Sequence, residues 1–258
     1  MSSETKGTAI VTGAAQGIGR SIALRLASDG FDVALNDLAA KKPQLDEVSQ
    51  EIIEKGRRTV VVCADVSVEE DVKGMVDTVV QELGGVDVMV ANAGIVKLGS
   101  VLQASVEDWE NIFAINTRGV FLCYKYAALR MVEQGRGGRI IGASSMAGKR
   151  GLRIGVAYSA SKFAVRGLTQ SAALELGPHG ITVNTYAPGA INTPMTIGVQ
   201  VPSEIDPDES LKKLVAQASV GYIGQPEDIA SVVSYLSSKE AHFITGQSIS
   251  VDGGIVLS

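Results

Sequence analysis

Tyr158 and Lys162 stand four positions apart at the start of a segment with helical periodicity. That spacing puts both side chains on one helix face. A phenol beside an ammonium can move a proton to or from a hydroxyl or carbonyl oxygen. A free tyrosine titrates near pH ~10, so a base working near neutrality needs its pKa lowered by about three units, or about 4 kcal/mol. A neighbouring cation such as Lys162 supplies a shift of that sign. The pair alone arises by chance in about half of chains this long. Ser145, at a predicted strand end, gives it weight, because its hydroxyl could hold a substrate oxygen beside Tyr158. Asn116, opening another long helical stretch, could anchor a water between Lys162 and solvent. A helix-interior or capping asparagine is the simpler reading of that residue alone.

A second group of residues suits a dinucleotide. The first predicted strand runs into Thr12-Gly13-Ala14-Ala15-Gln16-Gly17-Ile18-Gly19. Gly13 permits a tight turn, Gly17 lets backbone approach a diphosphate, and Gly19 lets helix pack closely on strand. The diphosphate would then meet the helix N-terminus, where free N–H groups and the dipole favour anions. Asp37 ends the second strand, where a carboxylate accepts both hydroxyls of an adenosine ribose and repels a 2′-phosphate. That favours NAD over NADP, although Lys41 and Lys42 follow closely. With a nicotinamide bound, its positive ring is a second cation for Tyr158. Asp65-Val66, Asn92-Ala93-Gly94, Ser144-Ser145 and Pro188-Gly189 end later strands. In open α/β sheets ligands bind outside the carboxyl ends of the strands.

The elements that must position these residues follow from periodicity. Strand patterns cover residues 8–11, 32–36, 59–63, 86–91, 139–143, 181–187 and 248–251. Helical patterns cover 19–28, 44–55, 68–83, a stretch through Trp109 on to Met131, then 157–176 and 226–238. Solid apolar strands alternating with amphipathic helices specify βαβ units with right-handed crossovers. The expected fold is α/β: one Rossmann domain over residues 1–258, a doubly wound seven-stranded parallel sheet with helices on both faces. Residues 190–221 lack a strand pattern and are rich in polar residues and proline, so they read as a substrate lid.

Composition narrows the function classes. The chain has 258 residues, of which 45% are hydrophobic, enough for one large core. A net charge of -5 without a basic cluster argues against a nucleic-acid partner. Cys63 and Cys123 lie in apolar runs and read as small core residues of a reducing compartment. His179 and His242 belong to no metal-ligand pattern, so no metal site is expected. No apolar run reaches bilayer length, and the polar first residues do not resemble a signal peptide. The expectation is a cytoplasmic protein with no membrane partner.

These residues together resemble the short-chain dehydrogenase/reductase family along essentially the whole chain. The matching pieces are the glycine turn, Asn92-Ala93-Gly94, Asn116, Ser145, Tyr158-Ser159-Ala160-Ser161-Lys162, and Pro188-Gly189 followed by Thr193. The resemblance implies an Asn-Ser-Tyr-Lys tetrad at Asn116, Ser145, Tyr158 and Lys162. It implies that Asp65 and Val66 meet the adenine and that Ile191 and Thr193 hold the carboxamide or phosphate side. It also implies a homotetramer, built partly by the helices holding Asn116 and Tyr158 and by the last strand. Ala91 stands where the family often has a second asparagine, a structural residue.

Within the family, the segment from Tyr158 to Gln170, with Thr193-Pro194-Met195 and Asp252-Gly253-Gly254, is similar to acetoin (diacetyl) reductases and butanediol dehydrogenases. Those enzymes often carry glutamine after the serine; here Met146 follows Ser145, and the lid after Met195 differs. Met146, Leu152, Met195, Ile197 and Val199 could line an apolar substrate pocket, although each singly also suits a core. The reading is an NAD-dependent secondary alcohol dehydrogenase or ketone reductase for a small or cyclic, mainly apolar substrate, acetoin- or diol-like or terpenoid. An NADP-dependent 3-oxoacyl-thioester reductase is the alternative enzyme, and Asp37 speaks against it. A non-catalytic cofactor-binding regulator is the alternative of another class, against which the intact tetrad speaks.

Overall fold

Short runs of β-branched and small apolar residues form seven strands in the computed structural model, which describes residues 5–197, 212 and 215–257. They are β1 (Thr8–Thr12), β2 (Asp32–Asp37), β3 (Thr59–Cys63), β4 (Val88–Ala91), β5 (Gly138–Ala143), β6 (Ile181–Pro188) and β7 (Ser248–Val251). All neighbours pair parallel, in the order β3-β2-β1-β4-β5-β6-β7. The chain winds outward from β1 to β3, returns past β1 to β4, and winds outward the other way. That reversal opens a crevice beyond the carboxyl ends of β1 and β4.

The helices are α1 (Gly17–Asp29), α2 (Lys42–Glu54), α3 (Glu69–Leu83), α4 (Val106–Phe113), α5 (Val120–Gln134), α6 (Val156–Leu176), a short α7 (Pro194–Ile197) and α8 (Pro226–Ser237). Side chains alternate across each strand, so the sheet carries two cores. Val11, Val33, Leu35, Val90 and Ile141 pack under α1, α2 and α8. Ile10, Ala34, Met89, Ile140 and Val183 pack under α3, α5 and α6. Burial of each valine, leucine, isoleucine or methionine among them contributes about 1.5–3 kcal/mol. Pro226 opens α8, and Asp228 accepts the Gln225 N–H at 2.7 Å, closing a capping box. At the amino end of the sheet, buried Asp32 accepts the Arg58 backbone N–H and Nε, both at 3.0 Å, and pairs with Arg57.

One expectation is corrected. Cys63 is exposed, because β3 is an edge strand and Cys63 closes it; only Cys123 is a core residue. The stretch from Trp109 to Met131 is helical as expected, with Ala114–Gly119 wound as a π turn between α4 and α5. Of the segment read as a lid, residues 198–211 and 213–214 lie outside the described residues, and Val199 with them. Among the described residues, no helix is long and apolar enough to cross a membrane.

Candidate active site

The crevice is a cleft of about 320 Å³, and every residue that the sequence assigns to the cofactor lines it. Its floor is the glycine turn. Gly13 takes φ 65° and Gly17 φ 56°, left-handed values that a side chain disfavours. Gly19 is required by contact: a Cβ there would run into the Gly13 carbonyl oxygen and meet Asn92 Nδ2 at 2.6 Å. Gly19→Ala is expected to cost about 1–3 kcal/mol of unfolding free energy, because the backbone must shift to admit the methyl. Denaturant melts check this; a loss below about 0.5 kcal/mol, typical of innocuous surface changes, would refute the contact. No side chain caps α1 and no carboxylate lies in its first turn, so its N-terminus suits an anion.

At one end of the cleft, β2 delivers Asp37. Its carboxylate accepts the Leu38 N–H at 2.9 Å and the Ala15 N–H at 3.3 Å, which ties it to the glycine turn. Lys41 lines the cleft and donates to Gln16 Oε1 at 3.3 Å, whereas Lys42 is held by Asp46. Asn36 donates to the carbonyls of Val62 and Ala64, drawing the end of β3 inward so that Asp65 and Val66 form a wall. Asp65 Oδ1 accepts from the Ser67 N–H and hydroxyl.

The middle of the cleft is tied across the sheet by Asn92. Its amide nitrogen donates to Thr12 O at 2.8 Å and Gly13 O at 3.3 Å. The Thr12 hydroxyl in turn accepts the N–H groups of Asn92 and Ala93, both at 3.0 Å. Beyond it, Pro188, Gly189, Ile191 and Thr193 form the opposite wall, with a Thr193 methyl 3.4 Å from where a Gly17 Cβ would lie.

Ser145, Tyr158 and Lys162 meet at the other end. Ser145 follows β5 and starts a turn over Met146–Gly148, where its Oγ accepts the Ala147 N–H at 3.1 Å. Its hydroxyl faces the Tyr158 phenol. Lys162 is buried one helical turn along α6, donating to Ala143 O at 2.9 Å with its Nζ 5.6 Å from the centre of the Tyr158 ring. Gly94 runs close to both partners: a Cβ there would lie 3.1 Å from Asn116 Oδ1 and 3.4 Å from Lys162 Nζ. Burial lowers the Lys162 pKa to about 8. Burial also raises the Tyr158 phenol, opposed by the neighbouring Ser145 hydroxyl. In the chain alone the phenol is therefore above its ordinary value, not below it as its expected use requires. Desolvation outweighs the groups that face it.

Asn116 lies in the π turn, fully buried and beneath the cleft rather than in its lining. Its Oδ1 accepts the Ile95 N–H at 2.8 Å, and its Nδ2 donates to Ile95 O at 2.9 Å and Ser161 Oγ at 3.2 Å. The side chain thus joins the loop after β4 to α6. Of the expected substrate residues, Ser145 and Met195 line the cleft. Met146 is buried in its turn, and Leu152 packs against Gly155 with its N–H on Ser159 Oγ; neither is in the lining. The Ile197 side chain lies outside the described residues. Tyr186, Ile95 and Ile115 line the cleft without having been anticipated. Tyr186 sits within a β-forming run that carries no local mark of a site. The donor set fits a nicotinamide dinucleotide: an uncapped helix N-terminus, a carboxylate at the end of β2, and a phenol with a lysine across the cleft.

Comparison with known proteins agrees with this geometry. A family model described as enoyl-(acyl carrier protein) reductase matches residues 13–256. The chain is 55% identical to a short-chain dehydrogenase/reductase of Armillaria gallica, over 96% of this chain and 95% of that protein. It is 41% identical to L-2,3-butanediol dehydrogenase of Corynebacterium glutamicum, over 96% and 98%. The crystal structure of acetoin dehydrogenase from Enterobacter cloacae superposes with a TM-score of 0.86 at 38% identity, covering 98% of this chain and 96% of that one. The chain therefore belongs to the short-chain dehydrogenase/reductase family, as an NAD(P)-dependent oxidoreductase acting on CH–OH groups.

Proposed function

We propose that the chain is an NAD-dependent secondary alcohol dehydrogenase and ketone reductase, acting on a small or cyclic, mainly apolar substrate. The observation that carries this reading is the convergence of Ser145, Tyr158 and Lys162 at one end of a cleft whose other end holds Asp37. The bound dinucleotide supplies the nicotinamide that accepts or donates hydride. Ser145 orients the substrate oxygen, and Tyr158 takes its proton or returns one. Lys162 favours the phenolate against the burial that disfavours it, and a bound nicotinamide would add positive charge of the same sign. Asn116 keeps the loop after β4 and α6 in register rather than touching substrate. Residues 190–221 serve as the lid.

The substrate class rests on Ile95 and Met195, apolar side chains of the lining. It also rests on likeness to a butanediol dehydrogenase and an acetoin dehydrogenase. A homotetramer is part of the proposal, supported by apolar rings at the surface of α4, the π turn's neighbour α5, and α6: Trp109, Phe121 and Phe163.

The test is nicotinamide absorbance across diols, acyclic ketones, cyclic terpenoid alcohols and a 3-oxoacyl thioester, each with NAD and NADP. Turnover of apolar secondary alcohols with NAD preferred is the expected result. Turnover confined to small polar diols would sink the substrate class, and turnover of the thioester alone with NADP would replace the reading. In the same panel, Asp37→Ala is expected to lower NAD/NADP discrimination at least about tenfold, equivalent to about 1.4 kcal/mol. Unchanged discrimination would remove Asp37 from that role.

A further inference from the structure

Tyr186 lies on β6 with 1% of its surface exposed, at a place a phenylalanine ring would fill as well. A buried hydroxyl is costly unless bonded, and this one donates to Asn92 Oδ1 at 2.8 Å. The bond reaches over β5, which separates β6 from β4. Burial raises the phenol's pKa, so the group stays protonated and remains a donor. A carboxamide can be turned end for end, and a donor fixed on its oxygen settles which end faces where. Here the nitrogen end faces Thr12 O and Gly13 O and lies against Gly19. Tyr186 and Asn92 both line the cleft.

We infer that Tyr186 is a positioning residue for the dinucleotide: through Asn92 it holds the carbonyls of Thr12 and Gly13, and with them the turn that meets the diphosphate. The inference rests on reading that turn as the dinucleotide site. Tyr186 supplies no proton to the reaction. A tyrosine that only filled the core would change stability and leave cofactor affinity alone.

The experiment is Tyr186→Phe in the full chain, with dissociation constants for NADH and NADPH from their fluorescence and melting temperature measured alongside. Both constants are expected to rise about threefold to tenfold, the range of one hydrogen bond's net worth. The factor should be the same for both, because the diphosphate is common to them. Asn92→Ala, made with and without Tyr186→Phe, adds a cycle. Once Asn92 is gone, removal of the Tyr186 hydroxyl should change affinity no further. If the Asn92 variants do not fold, the single Tyr186→Phe variant decides. Wild-type binding with Tyr186→Phe affinities unchanged, whatever the melting temperature does, would overturn the relay and leave the dinucleotide site standing. An additive cycle, or an effect confined to one cofactor, would overturn it too. A wild-type chain that binds neither cofactor would overturn the relay and the dinucleotide site together.

Discussion

Tyr158→Phe is expected to cut turnover at least about a thousandfold while leaving dinucleotide affinity within about threefold, as befits loss of a positioned general acid–base group. The substitution deletes one oxygen and keeps the ring that packs beside Lys162. What disappears is the atom that accepts or returns the substrate proton, the one that faces the Ser145 hydroxyl. Burial already raises the phenol, so any phenolate formed during the reaction depends on nearby positive charge. A phenylalanine cannot form it at all. Single-turnover absorbance at saturating cofactor is the measurement. Activity within tenfold of wild type would remove Tyr158 from the chemistry, and a large loss of cofactor affinity would mean that the change disturbed the cleft.

Lys162→Met is expected to lower turnover at least about a hundredfold and, unlike most damaging substitutions, to flatten the pH dependence of stability. Burial takes the lysine from its ordinary value of 10.5 to about 8. Below about pH 8 both native and unfolded chains hold the proton, and the native state carries the full cost of a buried ammonium. Between about 8 and 10.5 the unfolded chain still binds the proton and the native chain does not. Stability contributed by this residue therefore rises with pH across that window. The span corresponds to about 3 kcal/mol, an order-of-magnitude figure. Methionine fills similar volume without a charge, but it leaves the Ala143 carbonyl without its donor, a loss of about 1–3 kcal/mol. The two terms are of similar size at pH 7, so the pH slope is the decisive quantity. Denaturant melts of both proteins at pH 7 and 10 give it. Wild type should gain on the variant by about 2–3 kcal/mol between those values; a constant difference would mean that Lys162 is not titrating in the fold.

The cofactor end of the cleft was legible in the sequence because its determinants are local. Gly13, Gly17 and Gly19 report a turn too tight for side chains, and Asp37 reports the end of a strand. The reacting end was legible through a spacing, Tyr158 to Lys162, whose geometry a helix fixes by itself. Periodicity says nothing of strand order, so it could not distinguish Cys63 on an edge from Cys123 in a core. It also could not tell a pocket wall from a neighbouring core. Met146 and Leu152 are apolar and adjacent to the site, yet the turn after Ser145 carries them away from the lining. Tyr186 escaped notice for the opposite reason. A tyrosine in a strand is ordinary, and only the register of β6 beside β5 brings its hydroxyl to Asn92.

The π turn at Ala114–Gly119 gives the helical arm a property that its neighbours lack. A turn wound with one extra residue slips the helix phase by about 100°. Like a thread cut with one added notch, it sets the outward face of α5 independently of the face of α4. Removing a single residue there would restore an unbroken α-helix, and the same change would swing Asn116 off Ile95 and Ser161. In this arm, chain length is itself a specified quantity: the count of residues between Trp109 and Phe121 carries information that their identities do not.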